Sequence, residues 1–265
     1  MDQQVHLITY ANKKYELSMQ KLLEEAHAFK EFTTITGYKP NNLTPLFAKR
    51  FHSILQQPRG AGYWIWKFDI IRQKLDQIAN NDILVYLDGG CSVNINGKKR
   101  YHEYIDMLNK SEYGFLSFSM STEYIYTTKQ ILNYFDETPE SKIGQDKQLV
   151  GGILLMKKCP HTYMILDKCI ELLNHDPKLI TDHYNKENQH SGFIDNRHDQ
   201  SILSAVRNKY GSCIIPDETY AYKNWAELDN MPFLAKRRFI RDIYNMNKQT
   251  IIGNRGIRKM KMVLK

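Results

Sequence analysis

Nowhere in the chain is there an apolar run approaching the roughly eighteen residues that a membrane-spanning helix needs, and the start, MDQQVHLITYA, is acidic and passes directly into β-forming residues, unlike a signal peptide. The cytosol is therefore the expected compartment. Cysteine is scarce: Cys91, Cys159, Cys169 and Cys213 stand far apart with no C-x-x-C pair, which excludes a zinc knuckle and a disulfide framework. There is neither an internal repeat nor a low-complexity segment. Acids are almost missing from one region. Between Ala235 and Lys265 ten Lys or Arg residues face the single acid Asp242, a net +9 in the last thirty-one residues, so the rest of the chain, at about −1, contributes none of the formal +8.

What is present fits a folded body. Hydrophobic residues make up 42% and charged residues 25%, ordinary values for a globular chain, and 265 residues suffice for one large core. Residues 1–232 read as that body and 233–265 as a basic tail. In the tail Leu234, Phe239, Ile240, Ile243 and Tyr244 can share one helical face ringed by Lys236, Arg237, Arg238 and Arg241. Such a helix suits an anionic membrane surface, so peripheral attachment to the inner face of a membrane is one expectation and a solvated terminus the other. Nucleic acid would also attract the cations, but no RRM, KH or helix-turn-helix pattern accompanies them and the body is near neutral.

Along the chain, strands alternate with helices. VHLITYA (5–11) reads as a strand and Tyr15 to Phe32 as a helix; FTTITGY (32–38) is a second strand, and Leu43 to Gln57 a helix bounded by Pro58. Arg59, Gly60 and Gly62 form a basic loop before a helix running from Tyr63 or Trp64 to Ala79. Ile83 to Leu87 is an unbroken apolar run, the pattern of a central strand covered on both faces, and it ends at Asp88, Gly89 and Gly90. Ligands of open α/β sheets bind at the carboxyl ends of strands, although a turn whose glycines take positive φ would explain Asp-Gly-Gly equally well. Later elements are a helix over 101–111, a strand over 114–120, a helix over 127–135, one buried strand QLVGGILLMKK (148–158), a helix over 161–174, a polar loop over 175–196, a helix after His198 and a strand at 213–215. Gly151 and Gly152 favour close approach of a neighbouring element or a ligand.

The stretches WKFDII, VYLDGG, LVGGILLM and DQSIL, in that order, resemble those of the GT-A glycosyltransferases, above all the retaining glycogenin and lipopolysaccharide galactosyltransferase group. The longer pattern GYWIWK…ILVYLDGGC…QLVGGILLMKK…RHDQSILS also resembles uncharacterised bacterial and viral glycosyltransferase-like proteins, over about residues 5–220. The resemblance implies a Rossmann-like mixed sheet flanked by helices. It further implies transfer of a sugar from a nucleotide-diphosphate donor, UDP-linked, to a glycan or lipid-linked acceptor, with retention of configuration. On the matching positions it implies catalytic roles for Asp88, Asp199 and Gln200, and donor contacts from Thr9, Tyr10, Arg59, Lys67, Gly89, Gly90, Lys129, Gly151 and Gly152. Tyr10 would stack on the base. Mn²⁺ or Mg²⁺ would be held by Asp88 with His198, Asp195 or Asp199, because Gly90 stands where relatives carry a second Asp. Without a metal, Arg59, Lys67 and Lys129 would have to balance the diphosphate. His198 is open between metal, sugar hydroxyls and an ordinary surface role. The rival expectation is a non-catalytic binding module on the same fold, or a basic adaptor.

Overall fold

The computed structural model describes residues 3–221 and 224–236. The order of the main elements is β1 (Val5–Tyr10), α1 (Glu16–Phe29), β2 (Thr34–Tyr38), α2 (Pro45–Arg50), α3 (His52–Leu55), α4 (Trp66–Gln77), β3 (Ile83–Leu87), β4 (Ser92–Val93), α5 (Lys98–Lys110), β5 (Phe115–Thr122), α6 (Lys129–Tyr134), α7 (Lys142–Gln145), β6 (Lys147–Leu149), β7 (Ile153–Lys157), α8 (Pro160–His175), α9 (Asp199–Tyr210), β8 (Cys213–Pro216) and β9 (Phe233–Leu234). Seven strands form one mixed sheet in the order β2-β1-β3-β7-β5-β6, with β8 on β5. β1 pairs in parallel with β2 and β3, whereas β3 and β5 each pair antiparallel with β7.

The unbroken run in β3 has a simple origin. Leu84 and Tyr86 enter one core, between the sheet and helices α4, α8 and α9. Ile83, Val85 and Leu87 enter the other, against α1 and α5. A strand covered on both faces has no polar side, so its sequence does not alternate. The expected mixed α/β architecture with a central 83–87 strand is thus what the chain adopts.

Three expectations change. QLVGGILLMKK is not one strand: it breaks at Val150–Gly152, with β6 and β7 pairing to different stretches of β5. The helix expected over 43–57 is interrupted at Phe51, whose backbone leaves helical geometry while its ring is buried. Leu234, expected on the helical face of the tail, lies in a strand: β9 pairs antiparallel with β4, and Phe233 and Leu234 are buried. The body therefore continues past 232. Glu218 fastens this segment, since Arg100 donates to both of its oxygens at 2.7 Å and Tyr104 to one at 2.6 Å. The rest of the expected tail helix, Phe239, Ile240, Ile243 and Tyr244 with Arg237, Arg238 and Arg241, lies outside the described residues.

Candidate active site

Asp88 is the first residue beyond β3, and its backbone N–H donates to the Gly152 carbonyl at 2.8 Å, continuing the β3–β7 pairing by one residue. Tyr86, two positions earlier, points to the same side and donates its hydroxyl to Asp88 Oδ1 at 2.5 Å. Burial, reinforced by the charges of Asp88 and Asp199, pushes the Tyr86 phenol well above its ordinary pKa, so it stays a donor. Gly89 and Gly90 follow without positive φ, so their place is not explained by a left-handed turn. At Gly89 the constraint is proximity: a β-carbon would lie 3.2 Å from the Tyr10 carbonyl.

Lys67 reaches this carboxylate from the first turn of α4. Its side chain is 1% exposed, and Nζ donates to Gly151 O at 2.9 Å, sits 3.3 Å from Asp88 Oδ1, and bonds Asp199 Oδ2. Two of the ammonium's donors are thus hydrogen-bonded, and the Asp88 carboxylate is in ion-pair contact. Burial alone would lower its pKa; the Asp199 and Asp88 carboxylates outweigh burial and raise it, so Lys67 is charged. The sequence predicts a flexible basic loop at Arg59, Gly60 and Gly62 and a helix from Tyr63 or Trp64. Instead Gly60, Ala61, Gly62, Tyr63 and Trp64 all take positive φ, forming a left-handed turn that L-residues adopt at a cost of about 1–2 kcal/mol each. It is held by the Tyr63 N–H on Arg59 O at 2.7 Å and by Trp66 Nε1 on Gly60 O at 2.9 Å.

The turn aims two rings at the start of α9. Trp64 stacks on His198 with centroids 5.5 Å apart, and Tyr63 lies 5.0 Å from the same imidazole. His198 itself has φ 60° and ψ −119°, so unfavourable backbone geometry faces the cluster from both sides. Directly after it, the Asp199 carboxylate turns inward to Lys67. It is 5% exposed, and burial pushes its pKa up to about 6, with Asp88 adding to the rise and Lys67 opposing it. Gln200 closes the cluster: it accepts the Gly151 N–H at 3.0 Å and donates to Gln148 at 2.8 Å.

The two glycines are explained by these neighbours. A β-carbon at Gly151 would lie 2.7 Å from Gln200 Cβ, and one at Gly152 would lie 2.6 Å from Asp88 Oδ2. Of the two alternatives for close approach at this break, the neighbouring element is what fills it. Asp88, Lys67, Gly151, Gly152, Asp199 and Gln200 are thus brought together by β3, α4, the β6–β7 break and α9. The Asp88 side chain is 37% exposed, which leaves it as the cluster's opening to solvent.

Other candidates lie elsewhere or are already engaged. Thr9 is fully buried, its hydroxyl without a partner among the described residues. Tyr10 is also buried and stacks on Trp66 at 3.7 Å, so that ring face is closed to a base. Arg59 bonds Asp182 at 2.6 Å and lies 3.5 Å from Asp195, and Lys129 donates to Asn188 O. With Lys67 bonded to Gly151 and Asp199, each of the three expected cations already has a protein partner among the described residues.

Nor do the residues fit the expected divalent cation. The Lys67 ammonium already occupies the place between the two carboxyl groups where such an ion would sit. His198 is buried, its pKa lowered chiefly by burial and then by Arg59. Its Nδ1 bonds Ile180 O at 2.9 Å, and Nε2 faces Asp182 at 3.7 Å, away from Asp88's partners. Among the described residues no group of three His, Cys, Asp or Glu side chains converges.

Sequence reasoning passed over Tyr86 and Arg197. The first was hidden in the apolar run, where only its two-residue offset from Asp88 signalled a shared face. Arg197 stands before His198 in RHDQ, with its guanidinium 3.6 Å from the Tyr126 ring centroid and Nη1 3.8 Å from Met120 Sδ. Gln200 Nε2 meets the same sulfur at 3.7 Å. A cavity of about 290 Å³ is lined in part by Tyr63, Asp182, Lys178 and Lys186, and by none of the six clustered residues.

No protein-family model matches the chain, and no curated protein matches it. Solved structures do show likeness. Mouse xyloside xylosyltransferase 1 is 9% identical with a TM-score of 0.49, over 86% of this chain and 93% of that one. A glycosyltransferase involved in glycosylation of the major capsid of PBCV-1 is 14% identical with a TM-score of 0.49, over 87% and 91%. The galactosyltransferase LgtC, solved with donor and acceptor sugar analogs, is 17% identical with a TM-score of 0.45, over 81% and 74%. All three of these similar structures are glycosyltransferases.

Proposed function

We propose that the chain is a glycosyltransferase, moving a sugar from a nucleotide-diphosphate donor, UDP-linked, to a glycan or lipid-linked acceptor with retention at the anomeric carbon. The observation that carries the reading is the convergence of Asp88, Lys67 and Asp199 at the carboxyl edge of β3, the edge at which open α/β sheets take ligands. Four separate elements are held in strained or sterically exacting conformations to form it, which a turn-capping Asp would not require. In this reading Asp88 and Asp199 are the acceptors for donor hydroxyls. Gln200 orients: both ends of its amide are already bonded, and an amide has no acid–base capacity.

The tail fits the same reading. Ten Lys and Arg residues after residue 234 would draw the enzyme to an anionic membrane carrying a lipid-linked acceptor, on the cytosolic face. No helix among the described residues is long and apolar enough to cross a membrane, so surface attachment would suffice.

The test is slow hydrolysis of a panel of nucleotide sugars, each run with EDTA and with Mn²⁺, against Asp88→Ala. Turnover of at least one donor that collapses in the folded variant is expected. Turnover or binding of no donor by the wild-type chain would remove the proposal, and a binding-module role would replace it.

A further inference from the structure

We infer, building on the glycosyltransferase reading, that the donor's diphosphate is bound without a divalent cation: Lys67 holds the cation position permanently, and Arg197 is the charge that meets the phosphates.

A metal between Asp88 and Asp199 would need both carboxylates facing an open space. The space is taken by an ammonium that is 1% exposed, donates to Gly151 O and Asp199, and lies 3.3 Å from Asp88 Oδ1, so it contacts both of those carboxyl groups. Expelling it would leave a buried, uncompensated charge, costing several kcal/mol. Asp88 alone would remain, with Gly90 after it where a second carboxylate would be needed. A fixed ammonium does part of a cation's work: it offsets one of the two carboxylate charges, so an incoming dianion is repelled less than it would be by the bare pair. It cannot do the rest, because at 1% exposure it is closed off from an incoming ligand.

Arg197 can. Its neighbours in charge are all paired: Arg59 with Asp182 and Asp195, Arg207 with Ser117 and the carbonyls of Leu149, Val150 and Leu203, Lys67 as above. Arg197 has the Tyr126 ring beneath it and a thioether at its edge, and no carboxylate among the described residues. An aromatic ring fixes the plane of a guanidinium while leaving its edge N–H groups free, the geometry that grips phosphate with two parallel hydrogen bonds. The position is right as well. Arg197 and Gln200 share the Met120 sulfur, Gln200 packs on Gly151, and Asp88 packs on Gly152, so the three side chains follow one another along the same edge.

The test is calorimetric binding of UDP to the full chain in EDTA and in Mn²⁺, together with Mn²⁺ alone followed by electron paramagnetic resonance. The expected result is equal UDP affinity in both buffers, no Mn²⁺ bound by the protein alone, a loss of about 10- to 100-fold in Arg197→Met, and partial recovery in Arg197→Lys. Circular dichroism checks that the variants fold. UDP binding that requires Mn²⁺, or that is unchanged in folded Arg197→Met, would overturn the inference while leaving the glycosyltransferase reading in place. Failure of UDP and every other nucleoside diphosphate to bind in either buffer would remove both.

Discussion

Lys67 is a buried ammonium with two carboxyl groups and a carbonyl for company, and its removal has a calculable signature. In Lys67→Met, the buried Asp199 would face Asp88 without a counter-charge, and its pKa, already about 6, would rise further. An acid whose folded pKa exceeds its unfolded value costs stability as pH climbs above the unfolded value. The variant is therefore expected to lose about 3–5 kcal/mol at pH 7 and distinctly less at pH 5, where Asp199 takes a proton. Urea denaturation at the two pH values checks this, and an equal loss at both would show that the cluster is not electrostatically coupled. Asp88, Asp199 and Lys67 were all legible in the sequence, because a carboxylate after an apolar run, an acid opening a helix and a basic residue at a helix start are local patterns. What they bond to was not. Lys67 was expected to face a phosphate, and its donors are spent on the protein instead, since its partners come from residues 84 and 132 positions away.

At the scale of elements, the break between β6 and β7 carries the geometry. Gly152→Ala would drive a β-carbon to within 2.6 Å of the Asp88 carboxylate, which has to swing away. Such overpacking costs about 1–3 kcal/mol, so the variant is expected to fold, with a melting temperature a few degrees lower and donor turnover reduced by up to the factor lost in Asp88→Ala. Wild-type turnover in Gly152→Ala would mean that the Asp88 position is not critical. Glycine-glycine inside an apolar run signalled a close approach, but periodicity alone could not say that the strand breaks there. The left-handed turn at 60–64 was less legible still. Gly60 and Gly62 suggested a loop, but Ala61, Tyr63 and Trp64 have no intrinsic preference for positive φ, and it takes the turn's hydrogen bonds together with packing against His198 and Leu55 to hold it.

For the molecule as a whole, the alternating order of strands and helices and the solid β3 run marked a two-faced α/β sheet, and the positions of most elements follow from local periodicity. The antiparallel course of β7 and the docking of β9 on β4 depend on long-range pairing that no local pattern encodes. Nor does a local pattern reveal the buried polar layer under the site, where Glu123 accepts from Thr127 at 2.5 Å, from Asn208 at 3.0 Å and from Ser204. Burial pushes Glu123 up to about 7 from an ordinary 4.5, against the pull of its hydrogen bonds and Arg207. The folded state thus holds the proton more tightly than the unfolded chain, and stability should fall by roughly 3 kcal/mol as pH rises from 4.5 through 7. Glu123→Gln should flatten that part of the profile in urea melts taken between pH 5 and pH 8, and parallel profiles for variant and wild type would refute the assignment.

The central claim, that the edge built by Asp88, Lys67 and Asp199 is a nucleotide-sugar site, is tested most directly by one comparison. Turnover of the best donor in the panel is measured for wild type, Asp88→Asn and Asp199→Asn, all in EDTA and with folding verified. The account expects turnover in the wild type and a loss of about 100-fold or more in each variant, the scale of removing a hydrogen-bonding group that acts in the transition state. Turnover in either folded variant equal to that of the wild type would contradict it.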